Sequence, residues 1–258
     1  MQVPKKIYLY NGGKTSSLDL ENISLYIKDI FSSSDIRIRG ELTVKEKEVQ
    51  KVAKELSSSK VINVSSRDLR QNPLPAEIEY EKKRILDPNS TSFGIVYDGF
   101  KLSGIFLKLI PEFEWDLDSC HIVFTNQLFG TWDESNCRWH VRVSVYGFPS
   151  IISTTGIVEA PAKPREYYIK KQLGIDSESL KSELEGRFIE HNDKRLTEVI
   201  KGYVLQAIFY HMTGDPFCNN ENCRLFNAHW QEEVIRAQLS SASEFCPEHK
   251  KVIQNIKQ

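Results

Sequence analysis

The first hundred residues alternate short apolar runs with amphipathic stretches. Residues 6–10 (KIYLY) form an apolar run closed by Asn11-Gly12-Gly13, which predicts a strand and a turn. Leu18, Ile23, Leu25, Ile27 and Ile30 then carry a helical pattern over 18–31. A strand at 35–39 (DIRIR), a helix over 43–56 with Val44, Val49, Val52 and Leu56, and a strand at 61–64 (VINV) complete a β-α-β-α-β opening. That order predicts a mixed sheet with covering helices.

Residues 71–89 are polar and hold three prolines, which predicts a loop. Strands are expected at 93–97, 102–110, 120–125, 138–146 and 150–158. The segment 138–146 alternates cleanly, with Trp139, Val141, Val143 and Val145 on one face and Arg138, His140, Arg142 and Ser144 on the other. Pro161 and Pro164 interrupt the pattern, and from there to residue 258 the chain reads as helices and loops. The expectation is one α+β domain over 1–258, with a sheet-containing part at 1–160 and a helical part at 161–258.

The clearest helix lies in that second part. Leu196, Val199, Ile200, Tyr203, Val204, Ala207, Ile208 and His211 fall on one stripe of about four turns, and Gly214 suits a left-handed C-terminal cap. His211 sits at the end of the stripe, where a lone histidine is ordinarily a satisfied core residue.

Composition narrows the function classes. Hydrophobic residues make up 40% of the 258 positions and charged residues 27%, as in a globular protein with a real core. A net charge of −1 and the lack of a basic stripe disfavour a nucleic-acid partner. No apolar run reaches the length of a membrane span, and the N-terminus has no signal-peptide pattern. A cytoplasmic location is expected, where clustered cysteines bind metal more often than they pair.

Several motifs reduce to plain structure. Gly13-Lys14-Thr15 lacks the earlier glycine of a phosphate loop, because Tyr8 stands there, and reads as a turn. Glu112, Glu114, Asp116 and Asp118 alternate with Phe113, Trp115 and Leu117, as on a solvated or charge-protected strand. Cys120-His121 and Cys137-x2-His140 suggest a second metal site, but strand geometry sends positions 137 and 140 to opposite faces, and packed thiols are the better reading.

The last fifth is different. Cys218, Cys223, Cys246 and His249 are spaced C-x4-C, a 22-residue gap, then C-x2-H, and two close pairs of ligands suit one tetrahedral Zn2+. Polar or turn residues come directly after Cys218 and Cys246. Glu248 or an external ligand stands as an alternative to His249 in the fourth place. A relocated catalytic metal would have to draw on His211, Asp215, His229, Glu232 and Glu233. On a helix capped by Asn227, His229 shares a face with Glu232 and Glu233, although acidic residues there also serve the helix dipole.

The order helix, H-x-x-G, C-x4-C, apolar hook, helix, C-x2-H over residues 196–252 resembles the archaemetzincins. These are zinc metallopeptidases of the metzincin group, with an H-E-x-x-H-x-x-G-x-x-H-C run and a four-ligand structural zinc downstream. The resemblance extends to an uncharacterised archaeal group related to them, and implies a metzincin-like mixed sheet with a zinc-tied C-terminal region. On that run His211 takes the second histidine, Gly214 the glycine and Cys218 the cysteine. The first histidine falls on Ala207, the general-base glutamate on Ile208, the third histidine on Phe217 and the methionine below the metal on Leu225. None of these offers a zinc ligand or a proton acceptor, so packed core is expected where the metal stood. Three functions remain: a non-catalytic, zinc-stabilised relative with a peptide or protein partner; a hydrolase with a relocated metal; and a zinc-stabilised interaction module.

Overall fold

The computed structural model describes residues 2–12, 17–68, 72–87 and 94–257, so the Gly13-Lys14-Thr15 turn lies outside the described residues. The chain opens with β1 (Lys6–Gly12), α1 (Leu20–Ile30) and β2 (Asp35–Arg39). Asp19 caps α1 by accepting from the Asn22 N–H, and Ile23, Ile27 and Ile30 bury one face. Next come α2 (Val49–Ser58), α3 (Pro75–Leu86), β3 (Val96–Asp98) and α4 (Gly99–Leu107). Then come the strands β4 (Ser119–Thr125), β5 (Leu128–Asp133), β6 (Arg138–Arg142), β7 (Ser144–Val145) and β8 (Ser150–Ser153). The rest is helical: α5 (Thr154–Glu159), α6 (Arg165–Gln172), α7 (Ser177–Glu183), α8 (Leu196–Thr213), α9 (Gln231–Ile235) and α10 (Pro247–Lys257).

The expected α+β class with a mixed sheet is what forms. Five strands run in the order β2-β1-β4-β8-β7, parallel except for the antiparallel edge strand β7. A smaller sheet, β3-β5-β6, lies apart from it. Along β1 the pleat divides the core in two. Ile7 and Leu9 join α1 and α8 on one face, whereas Tyr8 and Tyr10 join α2 and α4 on the other.

Several expected elements differ. Residues 102–110 are not a strand: the Asp98 carboxylate accepts from the Phe100 and Lys101 N–H groups and starts α4 there. The polar 71–89 stretch holds α3, with Pro75 in its first turn, where a missing N–H costs nothing. Residues 61–64 form no strand; Val61 makes one backbone bond, to Val96. The helix expected at 43–56 starts only at residue 46, as a 3-10 turn leading into α2. The strand expected at 93–97 shortens to β3, and the one at 150–158 gives way after Ser153, whose hydroxyl caps α5 by accepting from the Gly156 N–H. The strand expected at 138–146 breaks at Val143, so that β6 pairs with β5 and β7 with β8. The sequence pattern does not predict β5.

The acidic-aromatic stretch 112–118 is not a strand face either. Glu112–Glu114 make one 3-10 turn, and the buried Glu114 carboxylate takes both Arg39 guanidinium nitrogens, at 2.7 and 2.6 Å. Arg39 also donates to the Tyr10 hydroxyl at 3.1 Å. That hydroxyl lies 2.9 Å from His121 Nδ1, and His121 Nε2 lies 3.2 Å from the Glu114 carbonyl. A carbonyl only accepts, so Nε2 carries the proton and Nδ1 accepts from Tyr10. The ring stacks on Tyr8 at 4.7 Å.

Burial holds the His121 imidazole below its ordinary value, against the Glu114 carbonyl and carboxylate, which pull it up. The unfolded chain therefore binds the proton first. Stability contributed by neutral His121 is present above the unfolded value of about 6.5 and is lost as pH falls toward the lower folded value. Urea unfolding at about pH 8 and pH 5 is expected to show a larger loss for the wild type than for His121→Gln; equal losses would contradict this account.

Candidate metal centre

α8 delivers the chain to the cysteine cluster. It runs five turns rather than four, and residues 202–209 are buried without a break, so Leu205, Gln206 and Phe209 are covered as well as much of the expected stripe. Gly202 admits the segment after α9 to its flank, where a Cβ would stand 1.9 Å from Gln238 Oε1. Gly214 ends the helix in the left-handed conformation at φ +76°, its N–H bonded to the Tyr210 carbonyl.

A compact knuckle comes next. The Cys218 N–H bonds the Leu225 carbonyl, and the Cys223 N–H bonds that of Asn220. Cys246 immediately precedes α10, which begins at Pro247, and places His249 in the first helical turn. Four ligand atoms converge, all within 4.8 Å of one another. Cys218 Sγ and Cys246 Sγ stand 3.8 Å apart, and His249 Nδ1 is 3.8 Å from Cys223 Sγ and 3.2 Å from Cys246 Sγ. A tetrahedral zinc with Zn–S bonds of about 2.3 Å requires an S–S edge of about 3.8 Å. The donor set and its spacing therefore fit Zn2+, and it is the His249 Nδ1 that converges on the three sulfurs.

Backbone N–H groups favour the thiolate forms that zinc would take, whereas burial opposes them. The Asn220 N–H points at Cys218 Sγ from 3.3 Å, and N–H groups of Cys246 and Leu225 serve Cys223. Burial pushes the Cys218 thiol up to about 12 and also raises Cys223. At Cys246 burial acts the same way, but N–H groups of His249 and Glu248 and the neighbouring thiols outweigh it and hold this thiol below its usual value. Burial lowers His249, against Glu248 and Asp215, and so favours the neutral imidazole that a metal requires. Four protein donors would leave a tetrahedral ion no open position.

A model of the Probable metallopeptidase family (DUF6775) matches residues 3–256. The chain belongs to this family. Among solved structures it is similar to the crystal structure of archaemetzincin from Methanopyrus kandleri, at 10% identity and a TM-score of 0.47, over 98% of this chain and 96% of that one. No curated protein matches.

The positions on and after α8 that the sequence resemblance assigns to catalytic groups are apolar. Ala207 and Ile208 are 0% exposed and part of the apolar core, as is Leu225. Phe217 departs from the packed-core expectation: it is 39% exposed and meets the Tyr146 ring edge-on at 5.9 Å. His211 is half-buried, and its Nε2 donates to the Leu117 carbonyl at 2.8 Å, so it is satisfied by the 112–118 loop and not by the core.

The other relocated-metal candidates have separate duties. Asp215 Oδ1 accepts from the Phe217 N–H in a turn. Trp230, not Asn227, precedes α9, and Glu233 accepts from the His229 and Trp230 N–H groups at 2.7 and 3.0 Å. Glu232 pairs with Arg187 at 2.6 Å. The His229 side chain is exposed. Among the described residues, the Cys218, Cys223, Cys246 and His249 group is the one in which three or more such side chains gather their ligand atoms. Cys120 is a buried core thiol and His121 faces the opposite side of the sheet. Cys137 is not packed: it is exposed, at φ +49° in the turn before β6.

Two residues that the sequence pattern does not single out shape the space beside α8. The Tyr146 hydroxyl donates to Gln206 Oε1 at 2.5 Å, and Gln206 Nε2 donates to the Phe226 carbonyl at 3.0 Å. They border a groove of about 320 Å3 between the Val141–Ser144 edge, Tyr203 of α8, Phe217 and the Asn227–His229 segment. A polar glutamine beside an apolar helical stripe is the signal the sequence carries for it. No helix among the described residues is long and apolar enough to cross a membrane.

Proposed function

We propose that this chain is a zinc-stabilised, non-hydrolytic member of its metallopeptidase family that holds a peptide segment in the groove beside α8. The observation that carries the reading is the contrast along α8 and the knuckle after it. Four ligands for one zinc are intact, whereas Ala207 and Ile208 are sealed in core where a catalytic ligand and a base would stand. A metal that activates water needs three protein ligands, an open position and a base. His211 alone, held to the Leu117 carbonyl, supplies neither the set nor the base.

The groove supports binding without cleavage. Its outer wall is the end of β6 and the start of the edge strand β7, where an extended peptide can add main-chain hydrogen bonds. Its floor offers Tyr146, Gln206 and Phe217 to one peptide side chain. The thiolate ligands suit a reducing, cytoplasmic setting. Elemental analysis should give one zinc per chain, and a mixed peptide library should be bound but left uncut. Two zincs per chain, or hydrolysis that disappears in His211→Ala, would refute the proposal.

A further inference from the structure

The floor of the groove beside α8 holds one polar group that the fold leaves uncommitted. Tyr203 and Gln206 stand one turn apart on α8 and line the groove together. The Tyr146 hydroxyl is committed to Gln206 Oε1, and Gln206 Nε2 to the Phe226 carbonyl. Tyr203 is 7% exposed, and among the described residues no group hydrogen-bonds its hydroxyl. Burial raises the Tyr146 hydroxyl; Ser144 opposes the rise and the Tyr203 hydroxyl adds to it, so the two phenols lie within electrostatic reach of each other. A tyrosine enclosed to this degree ordinarily finds a partner for its O–H, and going without one is costly.

The surroundings of that hydroxyl are neutral. Burial alone raises it, with no ionised side chain acting on it. None of the described residues lining the groove is a carboxylate. Arg142, the one arginine among them, donates its Nε–H to Thr131 Oγ1 at 2.9 Å, and the His229 side chain is exposed. A cationic side chain would find no counter-charge here, and an anionic one would lose its water beside a hydroxyl with no cation acting on it. An apolar side chain would leave the hydroxyl unpaired. The group that satisfies it is neutral and ends in a strong hydrogen-bond acceptor on a short aliphatic stem.

We propose that the groove selects, in the peptide it holds, a residue with a carboxamide side chain whose carbonyl accepts from the Tyr203 hydroxyl. The selection presupposes that the groove holds a peptide, and adds which side chain it takes. The Tyr146 and Phe217 rings, edge to face at 5.9 Å, offer the aliphatic stem an apolar wall. A site with a buried hydroxyl of this kind discriminates against analogues that leave it unpaired.

Equilibrium dialysis of end-blocked heptapeptide pools against the zinc-loaded full chain tests this. The pools are randomised over alanine, serine, threonine and valine and carry glutamine, methionine, glutamate or lysine at the central position. The glutamine pool should bind at least about fivefold more tightly than each of the others. Tyr203→Phe should bind the glutamine and methionine pools alike, and its Tm should not fall, because the hydroxyl it lacks holds no internal hydrogen bond. Equal binding of glutamine and methionine by the wild type, or a glutamine preference that persists in Tyr203→Phe, overturns the proposal while leaving the groove a peptide site. Glutamate bound as tightly as glutamine would make the groove an acid site and overturns it too. A lower Tm in Tyr203→Phe would assign the hydroxyl to the fold, with the same result. If no pool binds, the peptide-holding role falls and the selection falls with it.

Discussion

Cys223→Ala is expected to take the zinc content from one per chain to none and to unfold the region after α8. Cys223 is wholly buried, and two backbone N–H groups serve its sulfur. Structural zinc binding in small peptides is worth roughly 10–16 kcal/mol, comparable with the roughly 5–15 kcal/mol that holds a whole domain together. The α8 core survives in part, so a loss of several kcal/mol is expected, and Tm should fall by more than about 10 °C. A strong chelator should reproduce the drop in the wild type and add nothing in the variant. Cys137→Ala is the control, since that exposed thiol lies outside the cluster. Zinc retained at one per chain in Cys223→Ala, or an unchanged Tm, would remove the structural role assigned to the site.

The second large effect comes from placing at residues 207, 208 and 217 the residue types that the archaemetzincin resemblance assigns there. Ile208→Glu places a carboxylate where the side chain is completely enclosed by apolar neighbours, and should cost at least about 4 kcal/mol. The triple variant Ala207→His, Ile208→Glu, Phe217→His restores the residue types of a ligand-and-base pattern. It is expected to be less stable still, to bind no second zinc and to cut no peptide. Chemical unfolding, elemental analysis and a peptide cleavage assay read the three outcomes separately. A folded triple variant with two zincs would mean that the space beside α8 is a latent metal site and not packed core.

The parts of this structure that are legible in the sequence are those where a single local cause dominates. Residues 6–10 and 120–125 are short apolar runs and 35–39 alternates isoleucine with charge; all three are bounded by turn residues, and each is a strand. Residues 102–110 are just as apolar, so period alone cannot choose between strand and helix. The deciding group is Asp98, which caps α4 from outside the run. α3 is hidden because proline reads as a breaker, although at the first turn it marks a beginning. The cysteine spacing is legible because two pairs on short loops leave few alternatives. The Tyr146–Gln206 bond is not, because it joins residues 60 positions apart and depends on how β7 meets α8. Phe217 misleads for the same reason: its apolar character suggests core, but the turn at Asp215 holds it at the surface.

The break at Val143 has a mechanical consequence. One continuous segment leaves the small sheet as β6 and enters the main sheet as β7, and this same segment walls the groove. The wall is therefore a joint between two plates. A displacement of the small sheet moves the groove's outer lip, whereas its floor on α8 stays anchored in the core and, beyond Gly214, in the four-ligand knuckle. The width of the groove is thus set from the side of the molecule away from the four-ligand knuckle.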